Sequence, residues 1–149
     1  MTRLELHVDI SASPETVFDL LADLHGYGRW LPPAPDYAGT SEISSPPVAV
    51  GTTYRELSRA GVRHGVVTIL DRPRIIAFHQ PMTLRPRVAG TIDTTVTLVV
   101  EARGDGARVT RTVDLDLPGQ LVPVRGIVIG RYRGESERML WALKTFAEA

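Results

Sequence analysis

At 149 residues, with 43% hydrophobic and 23% charged side chains, the chain has the size and composition of one globular domain. Its 17 basic and 17 acidic residues cancel, so no net field gathers nucleic acid or holds the protein on an anionic membrane. The absence of cysteine excludes thiol nucleophiles, disulfides and thiolate metal sites.

Leu4, Leu6, Val8 and Ile10 alternate as a first strand. Ser13-Pro14-Glu15 then opens a helix: a hydroxyl for free amides, a proline where a missing N–H is harmless, and an acid at the positive helix end. The helix is expected over Pro14 to Leu24, with Val17, Leu20, Leu21 and Leu24 on one face. A second short turn reaches Trp30-Leu31 and is stopped by Pro32, Pro33 and Pro35, with Trp30 read as a plug of this helix pair.

Six further strands follow, predicted over Ala38–Ser44, Thr52–Ser58, Val62–Leu70, Arg74–Gln80, Val88–Ala102 and Ala107–Leu117. The breaks are Ser45-Pro46-Pro47, Ala60-Gly61, Asp71-Arg72-Pro73, Pro81 to Pro86 and Gly104-Asp105-Gly106, the last a tight hairpin signal. Tyr132, Ser136, Met139, Leu143 and Phe146 mark the buried stripe of a C-terminal helix, with Glu135, Glu137 and Arg138 at solvated positions and either side open to Trp141. Pro123 sets the earliest start of that helix. Gly126, Gly130 and Gly134 weaken it, so they either let it approach the sheet or leave cavity volume. The apolar residues from Leu121 to Ile129 form an entrance segment that could touch a membrane surface or a second copy of the chain, although Arg125 interrupts the run and rules out a membrane-embedded dimer motif.

This order of elements, with Ile10-Ser11-Ala12-Ser13-Pro14-Glu15-Thr16-Val17-Phe18, Tyr27-Gly28-Arg29-Trp30-Leu31-Pro32, Gly51-Thr52-Thr53-Tyr54-Arg55, Leu70-Asp71-Arg72-Pro73-Arg74-Ile75-Ile76-Ala77-Phe78 and Gly106-Ala107-Arg108-Val109-Thr110, resembles the START-like (SRPBCC) superfamily, in its polyketide cyclase/dehydrase-like branch. The resemblance spans nearly the whole chain. It implies an α+β helix-grip fold: a seven-stranded antiparallel sheet curved around the long C-terminal helix, two short helices after the first strand, and an apolar cavity open at one end. Members include lipid carriers, hormone binders, aromatase/cyclases and co-chaperones, so the lining of the cavity decides the function.

Strand parity supplies candidates for that lining, because residues two apart share a face. Val109, Val113, Leu115 and Leu117 set the inward parity of the last strand, and Arg111 sits among them. A guanidinium there is costly unless a carboxylate, a wet cavity or a ligand anion receives it, or unless its stem packs and its head reaches water at an open mouth. Tyr54, Glu56 and Ser58 share a face; if Tyr54 points inward, so does Glu56, which then could pair with Arg111, the alternative being exposure at a strand end. Phe78 and Gln80 share a face that leaves His79 toward solvent, and Tyr132 faces the sheet from the helix.

His7, His25 and His64 have no ligand spacing, and no metal-binding, phosphate-loop or nucleophile-elbow pattern is present, so no metal and no cofactor is expected. The arginines read as scattered along the chain. The resulting expectation is a single domain over residues 1–149 that binds a small hydrophobic molecule, lipid-, polyketide- or aromatic-like, through Arg111, Tyr54, Glu56, Phe78, Gln80 and Tyr132. The alternatives are a polyketide cyclase, aromatase or dehydratase using acid and base groups of the cavity, and a co-chaperone-like interaction module. No nucleic acid partner and no stable membrane insertion are expected, a homodimer is a further possibility, and the absence of a signal core or membrane-length apolar run makes the expected location cytoplasmic.

Overall fold

The computed structural model describes residues 1–149. Strand β1 (Thr2–Ile10) leads into helix α1 (Pro14–Ala22), a 3-10 turn (Leu24–Arg29), and strands β2 (Thr40–Ser41), β3 (Thr53–Leu57), β4 (Gly61–Asp71), β5 (Ile75–His79) and β6 (Met82–Leu84). Strands β7 (Thr91–Arg103) and β8 (Gly106–Asp116) form the long hairpin, and a 3-10 turn (Gly119–Val124) passes into helix α2 (Arg125–Ala147). The strands make one antiparallel sheet in the order β1-β8-β7-β5-β4-β3-β2, with β6 pairing β4 and β7. The helix-grip architecture expected from the sequence is the one observed, with an additional short strand.

Local chemistry accounts for the element ends. The Ser13 hydroxyl accepts from the Thr16 amide at 3.2 Å, capping α1. That helix stops at Ala22, two residues before the expected Leu24, because Asp23 turns its carboxylate to the Gly26 amide at 3.2 Å and caps the following 3-10 turn instead. The β7–β8 hairpin closes at Arg103 opposite Gly106, with Gly104 at φ +57, a conformation that glycine adopts without strain.

Three strands also differ from expectation. The strand expected over Ala38–Ser44 keeps only Thr40–Ser41. The stretch Pro81 to Pro86, read as a break, contains β6, whose Met82 and Leu84 are buried on either side of a half-buried Thr83. Strand β7 begins at Thr91 because Arg87–Ala89 wind into a 3-10 turn that leaves Val88 outside.

The core lies between the sheet, α1 and the C-terminal half of α2. Val17, Phe18 and Leu21 of α1 meet Val96, Val109 and Val113 of the sheet, and Met139, Leu140 and Leu143 of α2 join them. Between Arg125 and Gly134, by contrast, Tyr132 alone is buried. Gly126 and Gly130 have no atom within 4 Å of where a β-carbon would stand, so they do not bring the helix close to the sheet. Trp141 is exposed on the outer face of α2, and Phe146, at the end of the expected stripe, is also exposed, with the Arg29 guanidinium 5.9 Å above its ring. Trp30 is buried against Tyr27, ring centroids 5.1 Å apart, in the plug position expected for it. No helix is long and apolar enough to cross a membrane.

Candidate functional site

Strand parity and helix spacing converge on one polar cluster inside the grip. Strand β3 turns Tyr54 and Glu56 inward, with buried Ser58 just beyond its end; β4 turns Gly61, Arg63, Gly65 and Val67 inward; β8 contributes Arg111, and α2 contributes Tyr132, Glu135 and Ser136. Arg63 is 1% exposed, Arg111 7% and Glu56 8%, so three formal charges are taken almost wholly out of water. Such burial is tolerated only where partners are close, and removing one partner of a buried pair typically costs about 3–5 kcal/mol.

Arg63 holds the cluster together. Its Nη2 donates to Glu135 Oε2 at 2.8 Å, its Nη1 lies 3.6 Å from Glu56 Oε1, and its guanidinium stands 5.4 Å over the Tyr132 ring. Its Nε is buried without a partner. Burial pulls the Arg63 pKa down, but Glu135, Tyr132 and Glu56 outweigh it and the net shift is upward. For Glu56 the balance goes the other way: burial raises its carboxyl above the usual range, and the pull of Arg63 only partly offsets that. Thr40 Oγ1 donates to Glu56 Oε2 at 3.4 Å and shares a 2.7 Å bond with the Tyr37 hydroxyl.

Arg111 is held differently. Its Nε donates to Ser136 Oγ at 3.0 Å, the one hydrogen bond of this guanidinium, and no carboxylate pairs with it. Burial lowers its pKa, with Glu135 and Glu56 opposing, but an arginine so perturbed remains cationic at neutral pH.

Two cavities adjoin the cluster. The larger, of about 360 Å³, lies between β4, β6 and the first turns of α2, with Met82, Leu84, Ile92, Leu121, Val128 and Tyr132 as its apolar wall and Arg63 at its polar side. The smaller, of about 140 Å³, is bordered by Pro32, Tyr37, Glu56, Gln80, Arg111 and Met139. Glu135 lines both, so its bond to Arg63 stands at their boundary.

The structure thus brings four of the six sequence-derived candidates to a cavity wall: Arg111, Glu56 and Gln80 at the smaller, Tyr132 at the larger. Tyr54 and Phe78 stand behind the wall. The Tyr54 hydroxyl donates to Gln80 Oε1 at 2.5 Å and its ring meets Phe78 edge-on at 5.7 Å, so the pair orients Gln80. Tyr54 fits there because Gly65 lies opposite in register; a β-carbon at Gly65 would clash with the Tyr54 ring. Glu56 is buried and not exposed at a strand end. It pairs with Arg63, which stands opposite it on the neighbouring strand, and not with Arg111. Glu135, expected in solvent, is turned inward by Arg63. His79 faces outward as expected, its Nε2 2.6 Å from Asp93. No group of three metal-binding side chains is assembled.

Arg63 and Glu135 are the site residues that sequence reasoning missed. A signal for Arg63 was present: Gly61, Arg63, Gly65 and Val67 share a parity, and an arginine between two glycines on the valine face has room to lie inward. Chemically, the arrangement offers an uncommitted guanidinium for an oxyanion, a carboxyl that holds its proton above the normal range, and an adjoining apolar volume.

Comparison with known proteins agrees with this architecture. The sequence matches the family described as polyketide cyclase / dehydrase and lipid transport over residues 1–148. No curated protein matches it. Among solved structures, the chain is similar to the di-domain ARO/CYC BexL of the BE-7585A biosynthetic pathway, at TM-score 0.78 and 18% identity, over 99% of this chain and 50% of that one. It is similar to a norcoclaurine synthase of Thalictrum in complex with a transition-state analogue, at TM-score 0.75 and 13% identity, over 98% and 93%. The Aha1 dimer of Colwellia psychrerythraea matches at TM-score 0.66 and 18% identity, over 99% and 97%. At these identities the likeness is one of fold.

Proposed function

This chain belongs to the polyketide cyclase / dehydrase and lipid transport family, and we propose that it binds a small, mainly apolar molecule bearing an acidic or enolic oxygen, the oxygen at Arg111 in the smaller cavity and the apolar body reaching past Glu135, which lines both, into the larger. Arg111 carries the reading: a cation 7% exposed, bonded once to a serine hydroxyl and otherwise bordering a cavity. An ion so desolvated is supported by an anion, and the protein supplies none in contact. The larger cavity lies at the small end of the range for ligand sites, enough for a compact ring system or a short acyl chain.

Native mass spectrometry of the purified protein tests this directly, by identifying any small molecule carried through purification, together with titration by anilinonaphthalene sulfonate as an anionic apolar probe. The expected result is saturable binding that Arg111→Leu weakens about tenfold or more, the scale of one charge-assisted hydrogen bond. A protein that purifies empty and takes up no probe, or a variant that binds as tightly as wild type, contradicts the reading.

A second reading, an enzyme of the cyclase or dehydratase kind, is favoured by Glu56. A carboxyl held above its ordinary range beside a guanidinium can deliver and recover a proton while the arginine supports a developing oxyanion. Glu56→Gln should then abolish turnover of a polyketide-like substrate while leaving its binding intact. A cytoplasmic location remains part of this proposal, as does a homodimer, which the solved dimer of one structural neighbour supports.

A further inference from the structure

We propose that the mouth of the larger cavity is a docking face for an anionic membrane surface. The whole chain has no net charge, but its charge is unevenly spent. Six exposed arginines, Arg59, Arg85, Arg87, Arg125, Arg131 and Arg133, make no ion pair, whereas every other basic side chain except buried Arg111 is paired with a carboxylate. All six belong to the three segments that frame this cavity. Three of them, Arg59, Arg85 and Arg131, line the cavity itself, so arginines far apart in sequence meet at one opening.

The segments concerned contain no acid: neither residues 81–92 nor residues 117–134 include an aspartate or glutamate. They touch, since Gln120 Nε2 donates to the Val88 carbonyl at 3.1 Å. Asp36 and Glu135 line the same cavity but are occupied by Arg138 and Arg63. Asp93 and Asp116 stand opposite one another in register on the outer face of the sheet, and the exposed Glu137 follows Arg133 by one helical turn.

Apolar side chains project through this basic ring. Val88 is 79% exposed and Ile127 63%, and Val122 and Val124 beside them are also out in solvent. These aliphatic residues come from turns on both sides of the opening, with no aromatic anchor among them and no pocketed centre of the kind that dominates protein–protein contacts. A second copy is a poor occupant, because a symmetric contact would set arginines against arginines. An interface of anionic lipid satisfies both halves of the pattern: guanidinium groups at the phosphates and short aliphatic side chains at the acyl boundary. Charges more than a screening length away, about 10 Å at 0.1 M salt, do not cancel this local field, so whole-chain neutrality does not abolish it. An apolar ligand could then pass between bilayer and cavity without crossing water. This inference stands apart from the ligand proposal, since none of the residues tested below lines a cavity.

Vesicle flotation decides it. Wild-type protein should float with phosphatidylcholine vesicles containing about a quarter phosphatidylglycerol, remain behind with pure phosphatidylcholine, and be released at about 0.5 M salt. Arg125→Glu with Arg133→Glu, and separately Ile127→Asp, should each weaken vesicle binding about tenfold or more, with circular dichroism and probe uptake unchanged. Should the double charge reversal unfold the protein, Arg125→Gln with Arg133→Gln should give a smaller loss in the same direction. No flotation, flotation insensitive to these substitutions, or a wild-type protein that ignores vesicles but binds an acidic protein or itself through the same residues would each overturn the proposal.

Discussion

Glu56 shows how burial and pairing compete at a single side chain. It has Arg63 3.6 Å away, yet its carboxyl sits above the ordinary range because desolvation costs more than one imperfectly placed guanidinium returns. A carboxyl raised in the folded state binds its proton more tightly there than in the unfolded chain, so folding is favoured on the acid side and stability falls as pH rises through the window that opens near an ordinary glutamate value, about 4.3. Glu56→Gln removes that charge, keeps the shape and leaves Arg63 its shorter bond to Glu135. The melting temperature of the variant relative to wild type should therefore climb as pH is raised from about 4 and then level off above the raised value. A constant offset, or one that shrinks with pH, would show that Arg63 dominates Glu56. The same residues mark the limit of reading the site from sequence. Arg111 was visible because four apolar neighbours fixed its face, whereas Glu56 hung on the unknown orientation of Tyr54. Glu135 could not be placed at all, since Arg63, which turns it inward, is 72 residues away.

At the level of elements, patterns long enough to repeat were legible and short ones were not. Strands β7 and β8, 13 and 11 residues long, alternate through most of their length around a glycine turn, and the cap at Ser13 is chemically unambiguous. Strand β6 has three residues between prolines, too few for a period of two to show, and it forms because β4 and β7 offer it partners on both sides. Helix α2 divides likewise. Its C-terminal half carries the core, while its N-terminal half holds exposed glycines and starts at Val124 with no capping side chain. Gly130 is the clean test: a methyl group there meets nothing within 4 Å, so Gly130→Ala should stabilise the protein by up to about 1 kcal/mol and raise its melting temperature by roughly 3 °C. A calorimetric loss instead would mean that this turn of the helix needs space that the structure does not reveal.

For the molecule as a whole, closure is set at one end and left open at the other. Strand β1 pairs with β8 along nine residues, bringing the beginning of the chain to its final strand, and the end of α2 is fastened to the same corner. There Lys144 Nζ donates to the Asp9 carbonyl at 2.7 Å and the Ser11 amide to Glu148 Oε2 at 2.8 Å. The buried side chains of α2 follow this fastening: Met139, Leu140 and Leu143 lie in its later turns, and the cavity takes the place of a core beneath its first turns. Local opening should obey that gradient, because protection against exchange tracks buried contacts. Amide hydrogen exchange is expected to be slowest in β1, β7, β8 and residues 139–147, and fastest over residues 119–131, with a bound ligand protecting mainly the latter. Uniform protection along α2 would mean that the helix is held from end to end by forces other than the core, and that the cavity opens elsewhere. The gradient ties the stability of the fold to its use: the segment least held by packing carries two of the unpaired arginines, Arg125 and Arg131, and borders the way in.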